Sequence, residues 1–266
     1  MTHEVVRTRT GLLAMRSLDD GEVMHPGVGP LVEAEQLYVR QLRVEDRLRS
    51  ADAPLTVFDV GLGAASNALA ARAVSERAPR AAARLQLVSF ERDLGALELA
   101  LSHGAAFGLD GEAGDAARAL LADHAHESAR TSWQLRHGEL LVALANEPLR
   151  ADVVFWDPFS PRANPLLWTV AAFAAIRRVA GPRCTLATYS ASTATRVALL
   201  LAGWAVGIGD PIGDKAQTTC AAVRTDDLAR PLDRTWLKRL SLPSAPLPSD
   251  APANTPSLVA AAPQFQ

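Results

Sequence analysis

Between residues 51 and 228 the chain alternates short apolar runs with longer helix-forming ones, and this alternation constrains the fold more than any other feature. Thr56–Val60, Leu85–Phe90, Trp133–Arg136, Val153–Trp156 and Thr185–Tyr189 read as strands. Ala64–Val74, Leu94–His103, Leu166–Val179 and Ser192–Leu201 read as helices between them. Strands that alternate with helices predict an α/β fold with a doubly wound parallel sheet. Two further apolar runs, Trp204–Ile208 and Thr218–Val223, follow with no helix between them. They predict an antiparallel strand pair at the end of an otherwise mostly parallel sheet.

The flanks differ from this core. Residues 1–50 are expected to form a small N-terminal extension: a turn at Asp20-Gly21 after the apolar stretch Leu12–Met15, then a helix over Leu31–Leu48 with Pro30 in its first turn. Residues 51–240 are expected to be the main domain. Residues 241–266 hold Pro243, Pro246, Pro248, Pro252, Pro256 and Pro263 among Ser and Ala, and are expected to be a disordered tail.

Composition excludes several classes. With 266 residues the chain is long enough for a sizeable core. A net charge of −2 and a pI near 6.3 argue against a sequence-independent nucleic-acid binder, though not against a local basic patch. Two cysteines, Cys184 and Cys220, are too few for a disulfide framework and read as buried hydrophobes. Neither a signal peptide nor an apolar run of membrane-spanning length is visible, so the expected location is the cytoplasm.

In a doubly wound sheet, ligands bind beyond the carboxyl ends of the strands, so the polar residues there carry the chemistry. The first strand runs into Phe58-Asp59-Val60-Gly61-Leu62-Gly63. Glycines permit a tight turn and a close approach of ligand to backbone. A lone GxG also fits a plain strand-to-helix turn, and Ser66 replaces the third glycine of the dinucleotide fingerprint. Asp59 would help to hold a cationic ligand. Glu91, at the end of the second strand, suits two ribose hydroxyls, in either a nicotinamide dinucleotide or S-adenosylmethionine (SAM). Glu139 follows the third strand and reads either as an acceptor for an adenine amino group or as a helix-start carboxylate. The fourth strand ends in Asp157-Pro158-Phe159-Ser160-Pro161-Arg162-Ala163-Asn164-Pro165, with Trp168 beyond. Here a carboxylate closes a buried strand on a proline-bracketed loop beside an aromatic ring. Asp157 can orient an acceptor amine and take its proton, and Phe159 can pack on a planar group.

The pattern Asp157–Phe159–Pro161–Asn164-Pro165–Trp168 resembles the methyltransferase domain of the MnmC-like family, which makes 5-methylaminomethyl-2-thiouridine at the tRNA wobble position. The resemblance runs from about Gly21 to Val223. It includes Gly61-Leu62-Gly63 and Asn67 as the glycine loop, Phe90-Glu91 as the ribose-binding strand end and Gly138-Glu139 on the adenine side. It also includes Thr185-Leu186-Ala187-Thr188 as the fifth strand and Gly213–Lys215 as a late basic loop. It implies a class I, Rossmann-like methyltransferase with SAM as cofactor and tRNA as partner. Asp59, Gly61, Gly63, Asn67, Glu91, Glu139 and Asp157 would hold the cofactor, Phe159 and Lys215 the substrate, and Asp157 would act in catalysis. Three positions depart from the pattern: Ala65 replaces a glycine, Ala216 a second basic residue, and Pro158 a glycine common in the family. No FAD-type glycine motif follows the domain, so the fused oxidase of two-domain members is not expected.

Other assignments compete. One is a dehydrogenase on the same sheet type, against which Ser66 and the closing strand pair both speak. Another is a SAM-dependent enzyme acting on a different small amine, and a third a non-catalytic SAM-binding protein. An aminopropyltransferase would need more acidic residues to hold a polyamine. His124 and His126, two apart in a helix-like region, would not share a face, and no metal site is expected. His25 and Glu33 read as structural or surface residues. Arg40, Arg43, Arg47 and Arg49, interrupted by Glu45 and Asp46, read as a solvated helix face.

Overall fold

A computed structural model describes residues 2–8, 11–24, 29–242 and 245–266. The first two strands, β1 (His3–Arg7) and β2 (Leu13–Ser17), pair as an antiparallel hairpin. A helical stretch follows: α1 (Pro30–Glu33), a π-helical segment Ala34–Arg40 and α2 (Val44–Ser50). The single helix expected over Leu31–Leu48 is thus interrupted. Arg43 takes a left-handed φ of 55° immediately before α2, and this redirects the chain.

The main alternation is β3 (Leu55–Val60), α3 (Ser66–Arg77), β4 (Leu85–Glu91), α4 (Gly95–Ser102), α5 (Gly111–Asp123), β5 (Ala125–Glu127), β6 (Thr131–His137), α6 (Leu140–Ala145), β7 (Ala151–Trp156), α7 (Val170–Arg178), β8 (Ala180–Thr188) and α8 (Thr193–Leu201). The chain closes with β9 (Ala205–Gly209), β10 (Thr218–Ala222) and α9 (Thr255–Ala260). The eight-stranded sheet has the order β5-β6-β4-β3-β7-β8-β10-β9. Pairing is parallel from β6 through β8, while β10 runs antiparallel to both β8 and β9. This is the expected Rossmann-like methyltransferase sheet. The pattern did not anticipate β5, an antiparallel edge strand, or helices α5 and α6.

The two-residue period of the strands sorts their side chains into two cores. Val57, Leu87, Trp133, Val153 and Phe155 face one side, under α3 and α5. Phe58, Val60, Val88, Val154 and Trp156 face the other, under α7 and α8. Leu37, Tyr38, Val44 and Leu48 belong to the first core, so the helical stretch of residues 30–50 folds as part of the main body.

The tail is a correction to the sequence reading. Val259 and Phe265 are buried in the second core. The Gln264 amide donates to the carbonyls of Val206 and Leu232, and its oxygen accepts from the Val206 amide. Asp250 accepts from the amides of Val170 and Ala171, the open donors at the start of α7. A few apolar anchors and well-placed polar groups dock the segment despite its composition. Pro243 lies outside the described residues, as does His25.

The chain order reverses around β3: the next strands build outward through β4 and β6, and later ones through β7 and β8 on the other side. A crevice therefore opens beyond the carboxyl ends of β3, β4 and β7.

Candidate active site

That crevice is a cavity of about 700 Å³, within the range of small-molecule sites. Its floor is the loop between β3 and α3. Gly61 has φ 88°, and a Cβ there would lie 2.8 Å from the carbonyl oxygen of Asp157, so only glycine fits. Gly63 has φ 51°, and its amide donates to Glu91 Oε2 at 3.0 Å. Ala65, which replaces a glycine of the family pattern, keeps a left-handed φ of 66° at the N-cap of α3. A side chain in that region costs about 1–2 kcal/mol. Ala65 therefore stores a little strain at the start of α3.

Glu91 ends β4 with its carboxylate fixed from behind. Its Oε1 accepts from the amides of Arg92 and Asp93 at 2.7 and 3.0 Å. Glu139, at the N-cap position of α6, is exposed on the cavity rim with Arg92 3.7 Å away. Asp157 follows β7 on the opposite wall, where its Oδ2 accepts from the Asn67 amide at 2.8 Å. Asn67 is the second residue of α3, so the glycine loop and the Asp157 loop are joined at that bond. Glu91, Glu139, Asp157, Asn67, Gly61 and Gly63 all line the one cavity.

Asp59 departs from expectation. It is 0 % exposed and not part of the cavity lining. The period of β3 turns it under the floor, where Ser89 Oγ donates to it at 2.8 Å and Trp133 Nε1 donates to Ser89 in turn. Burial raises its pKa to about 8, the Asp157 and Glu91 carboxylates push the same way, and the Ser89 bond opposes. A protonated Asp59 at neutral pH leaves Glu91 and Asp157 as the anions of the floor and wall. Its direct contact with a cationic ligand group is therefore withdrawn.

The Asp157 loop is held at several points. Trp168 Nε1 donates to the Phe159 carbonyl at 2.8 Å, and the Tyr189 hydroxyl donates to the Pro158 carbonyl at 3.0 Å. From the turn after β2, Glu22 accepts from the Ser160 amide at 2.9 Å and its hydroxyl at 2.6 Å. Phe159 lies in the wall with His3 stacked 6.4 Å from its ring. Lys215 also reaches the cavity, its ammonium 4.2 Å from the centre of the Tyr189 ring.

Four neighbours of the site carry no clear signal in the sequence. Glu33 was read as a surface or structural residue, yet it is 8 % exposed and lines the cavity. His3 comes from β1 and Glu22 from the turn after β2, and no local motif marks them. Tyr38 is fully buried behind Asp157, its ring 5.1 Å from that of Phe155.

The site fits SAM. The ligand carries a sulfonium and an ammonium, and carboxylates stand on both walls. It is also an adenosine derivative, and Glu91 at the end of β4 stands beside a glycine floor that admits close backbone approach.

A family profile described as S-adenosyl-L-methionine-dependent methyltransferase matches residues 117–224. A relative from Burkholderia thailandensis, named tRNA 5-methylaminomethyl-2-thiouridine biosynthesis bifunctional protein MnmC, is 31 % identical over 195 residues, covering 70 % of this chain and 30 % of its own. The protein of the same name from Methylibium petroleiphilum is 28 % identical over 227 residues, 81 % of this chain and 34 % of its own. The chain thus spans about a third of the length of the curated relatives it matches. Among solved structures, MNMC2 from Aquifex aeolicus superimposes with a TM-score of 0.74 at 24 % identity, over 97 % of this chain and 83 % of that one. Spermidine synthase from Thermotoga maritima shares the fold more distantly, with a TM-score of 0.52 at 12 % identity over 85 % and 70 % of the two chains.

Fold, site and family profile together define a class I, SAM-dependent methyltransferase. Within that class the chain carries an MnmC-like methyltransferase domain.

Proposed function

We propose that this methyltransferase N-methylates the aminomethyl group of a modified wobble uridine in tRNA. The observation that carries the reading is Asp157: a carboxylate on the cavity wall, fixed by Asn67 at 2.8 Å and followed by Phe159 on a braced loop. The names of the relatives supply the acceptor.

When bound, SAM supplies an electrophilic methyl group on a sulfonium. The chain's residues then have to hold a neutral amine in line with it and keep water out. In this reading Glu91 accepts from the ribose hydroxyls and Glu139 from the adenine amino group. Gly61, Gly63 and Asn67 shape the floor under the cofactor. Asp59 lies beneath the floor as a neutral acid bonded to Ser89 and takes no direct part. Phe159 packs on the uridine ring and Lys215 meets a phosphate at the mouth. Asp157 would accept the proton of the bound ammonium and orient the freed lone pair, so that the nitrogen–methyl bond forms as the methyl–sulfur bond breaks and S-adenosylhomocysteine leaves. A protonated amine has no lone pair to give, so a base in this position is required.

A second reading, a small free amine as acceptor, draws on the acidic wall: Glu22, Glu33, Asp93 and Asp157 all line the cavity. One assay separates the two. Methyl transfer is measured on tRNA bearing 5-aminomethyl-2-thiouridine and on short aliphatic diamines. The proposal expects label in the methylaminomethyl nucleoside of the tRNA digest; label in the diamines alone would favour the second reading. A cytoplasmic setting accompanies the tRNA assignment. Among the described residues, no helix is long and apolar enough to cross a membrane.

A further inference from the structure

The loop that follows Asp157 is stitched from two sides, and one of them belongs to elements outside the main sheet. On the sheet side, Tyr189 and Trp168 donate to the carbonyls of Pro158 and Phe159. On the other side stand the N-terminal hairpin and the turn after it. His3 of β1 lies within 13° of parallel to the Phe159 ring. Glu22 accepts from both the amide and the hydroxyl of Ser160, at 2.9 and 2.6 Å. The Asp20 carbonyl accepts from Arg162 Nη2 at 3.3 Å. Glu22 is itself held in place. The Asp20 carboxylate accepts from the Glu22 amide at 2.8 Å, and Gly21 makes the turn between them with φ 73°. The Ser17 amide donates to the Glu22 carbonyl at 2.9 Å, and the Met24 amide to the Met15 carbonyl at 2.8 Å. Met15 is buried in the first core, so the Glu22 carboxylate reaches the loop from a backbone that the core fixes.

We propose that Glu22 is a positioning residue for methyl transfer: its paired bonds to Ser160 fix the loop so that Phe159 and Asp157 face the acceptor amine. The proposal rests on the reading of Phe159 and Asp157 as the groups that meet the acceptor. A carboxylate that accepts two hydrogen bonds from one residue sets that residue's orientation as well as its position, and its charge strengthens both bonds. Ser160 is next to Phe159 and three residues after Asp157, so freedom at Ser160 passes directly to both. A displacement of about 1 Å at a reacting group can cost about a hundredfold in rate. The cofactor floor is fixed by other bonds, those of Gly63, Arg92 and Asp93 to Glu91 and of Asn67 to Asp157. The role of Glu22 is therefore confined to the acceptor side.

A competing account makes Glu22 one more charge in the acidic wall, drawing in a cationic acceptor together with Asp93 and Asp157. Glu22→Gln separates the two. Its amide oxygen can accept from the Ser160 N–H while its amide nitrogen donates to the Ser160 hydroxyl, so both bonds survive and the charge does not. Glu22→Ala removes both bonds. Ser160→Ala removes the 2.6 Å bond alone.

Hydrogen exchange at the Ser160 amide, followed by NMR in the full chain, tests the grip on the loop and needs no acceptor. Exchange should quicken by about tenfold or more in Glu22→Ala and stay near the wild-type rate in Glu22→Gln. Methyl transfer is then measured on tRNA bearing 5-aminomethyl-2-thiouridine and on short aliphatic diamines. On whichever of these the wild type methylates, Glu22→Ala should lower kcat/KM for the acceptor by about tenfold or more. S-adenosylhomocysteine should bind the same variant within about twofold of wild type, a split that general loosening of the fold would not give. Glu22→Gln should recover most of the lost rate. If Glu22→Ala melts too low to assay, Ser160→Ala should show a smaller loss in the same direction. Unchanged exchange at Ser160 in Glu22→Ala would overturn the proposal whatever the acceptor proves to be. A wild-type kcat/KM in Glu22→Ala would overturn it too, as would a Gln variant as slow as the Ala one. Failure of the underlying reading looks different: Asp157→Asn then transfers at the wild-type rate, while exchange at Ser160 still reports whether Glu22 holds the loop.

Discussion

Glu91 and Asp59 are acids one strand apart in the sheet, and their surroundings give them opposite behaviour. Glu91 is half-buried, with three backbone amides donating to it, and faces the cavity. Glu91→Gln keeps the volume and removes the charge. Losing charge-assisted bonds worth on the order of 1.5–3 kcal/mol each should weaken both SAM and S-adenosylhomocysteine by tenfold or more. Titration calorimetry reads this directly, and equal affinities would remove Glu91 from the ribose. Asp59 is buried with a pKa raised to about 8 from an ordinary 3.8. Between those values the unfolded chain releases a proton that the folded chain retains. The stability contributed by the neutral acid is thus complete below about pH 4 and is lost as pH rises through about 8. Asp59→Asn abolishes this dependence. Relative to the variant, the wild type should lose stability from pH 5 to pH 8, at no more than about 1.4 kcal/mol per pH unit. Parallel urea midpoints across that range would show that Asp59 does not titrate there. The sequence marked both acids by their strand ends. It did not reveal which face of β3 Asp59 occupies, because that depends on where the sheet's two cores lie.

At the scale of elements, the strands that were legible are those with unbroken apolar runs, such as Val153–Trp156 inside β7. The missed elements lack that signal. In α5, Gly111, Gly114 and a series of alanines dilute the helical period, although Ala116, Ala117 and Leu120 are buried. The helix-like region around His124 and His126 ends one residue early: His124 closes α5 with φ 56°, and His126 lies in β5. The tail was misread because its anchors, Val259 and Phe265, are too widely spaced to show any period. Their burial reverses the expectation that the tail is dispensable. Phe265→Ala should cost about 3 kcal/mol or more, the usual result of emptying an aromatic site in a core. Truncation after Arg239 should lower the melting temperature clearly. A truncated chain that melts with the full-length one would return the tail to the disordered class.

For the whole molecule, the order β6-β4-β3-β7-β8-β10-β9 brings residues from the hairpin to the Lys215 loop around one cavity. The Asp157 loop was legible because its prolines, aromatic ring and carboxylate are contiguous. Tyr38, Glu22 and His3 were not, because only the closed fold carries them to that loop. A ligand that binds only the folded state stabilises it by mass action, by about 2.7 kcal/mol at a hundredfold excess over Kd. SAM should therefore raise the melting temperature while NAD leaves it unchanged. A shift with NAD alone would transfer the site to the dehydrogenase class.

The central claim is that Asp157 serves as the base for methyl transfer to an amine on tRNA. Single-turnover transfer to tRNA bearing 5-aminomethyl-2-thiouridine, followed by mass spectrometry of the nucleosides, tests it most directly. Asp157→Asn preserves the shape of the wall and the contact with Asn67 while removing charge and basicity. It should bind SAM within a few-fold of wild type and form the methylated nucleoside roughly a hundredfold more slowly, the loss expected of a missing general base. Formation at the wild-type rate would make Asp157 a loop-fixing residue and contradict the account.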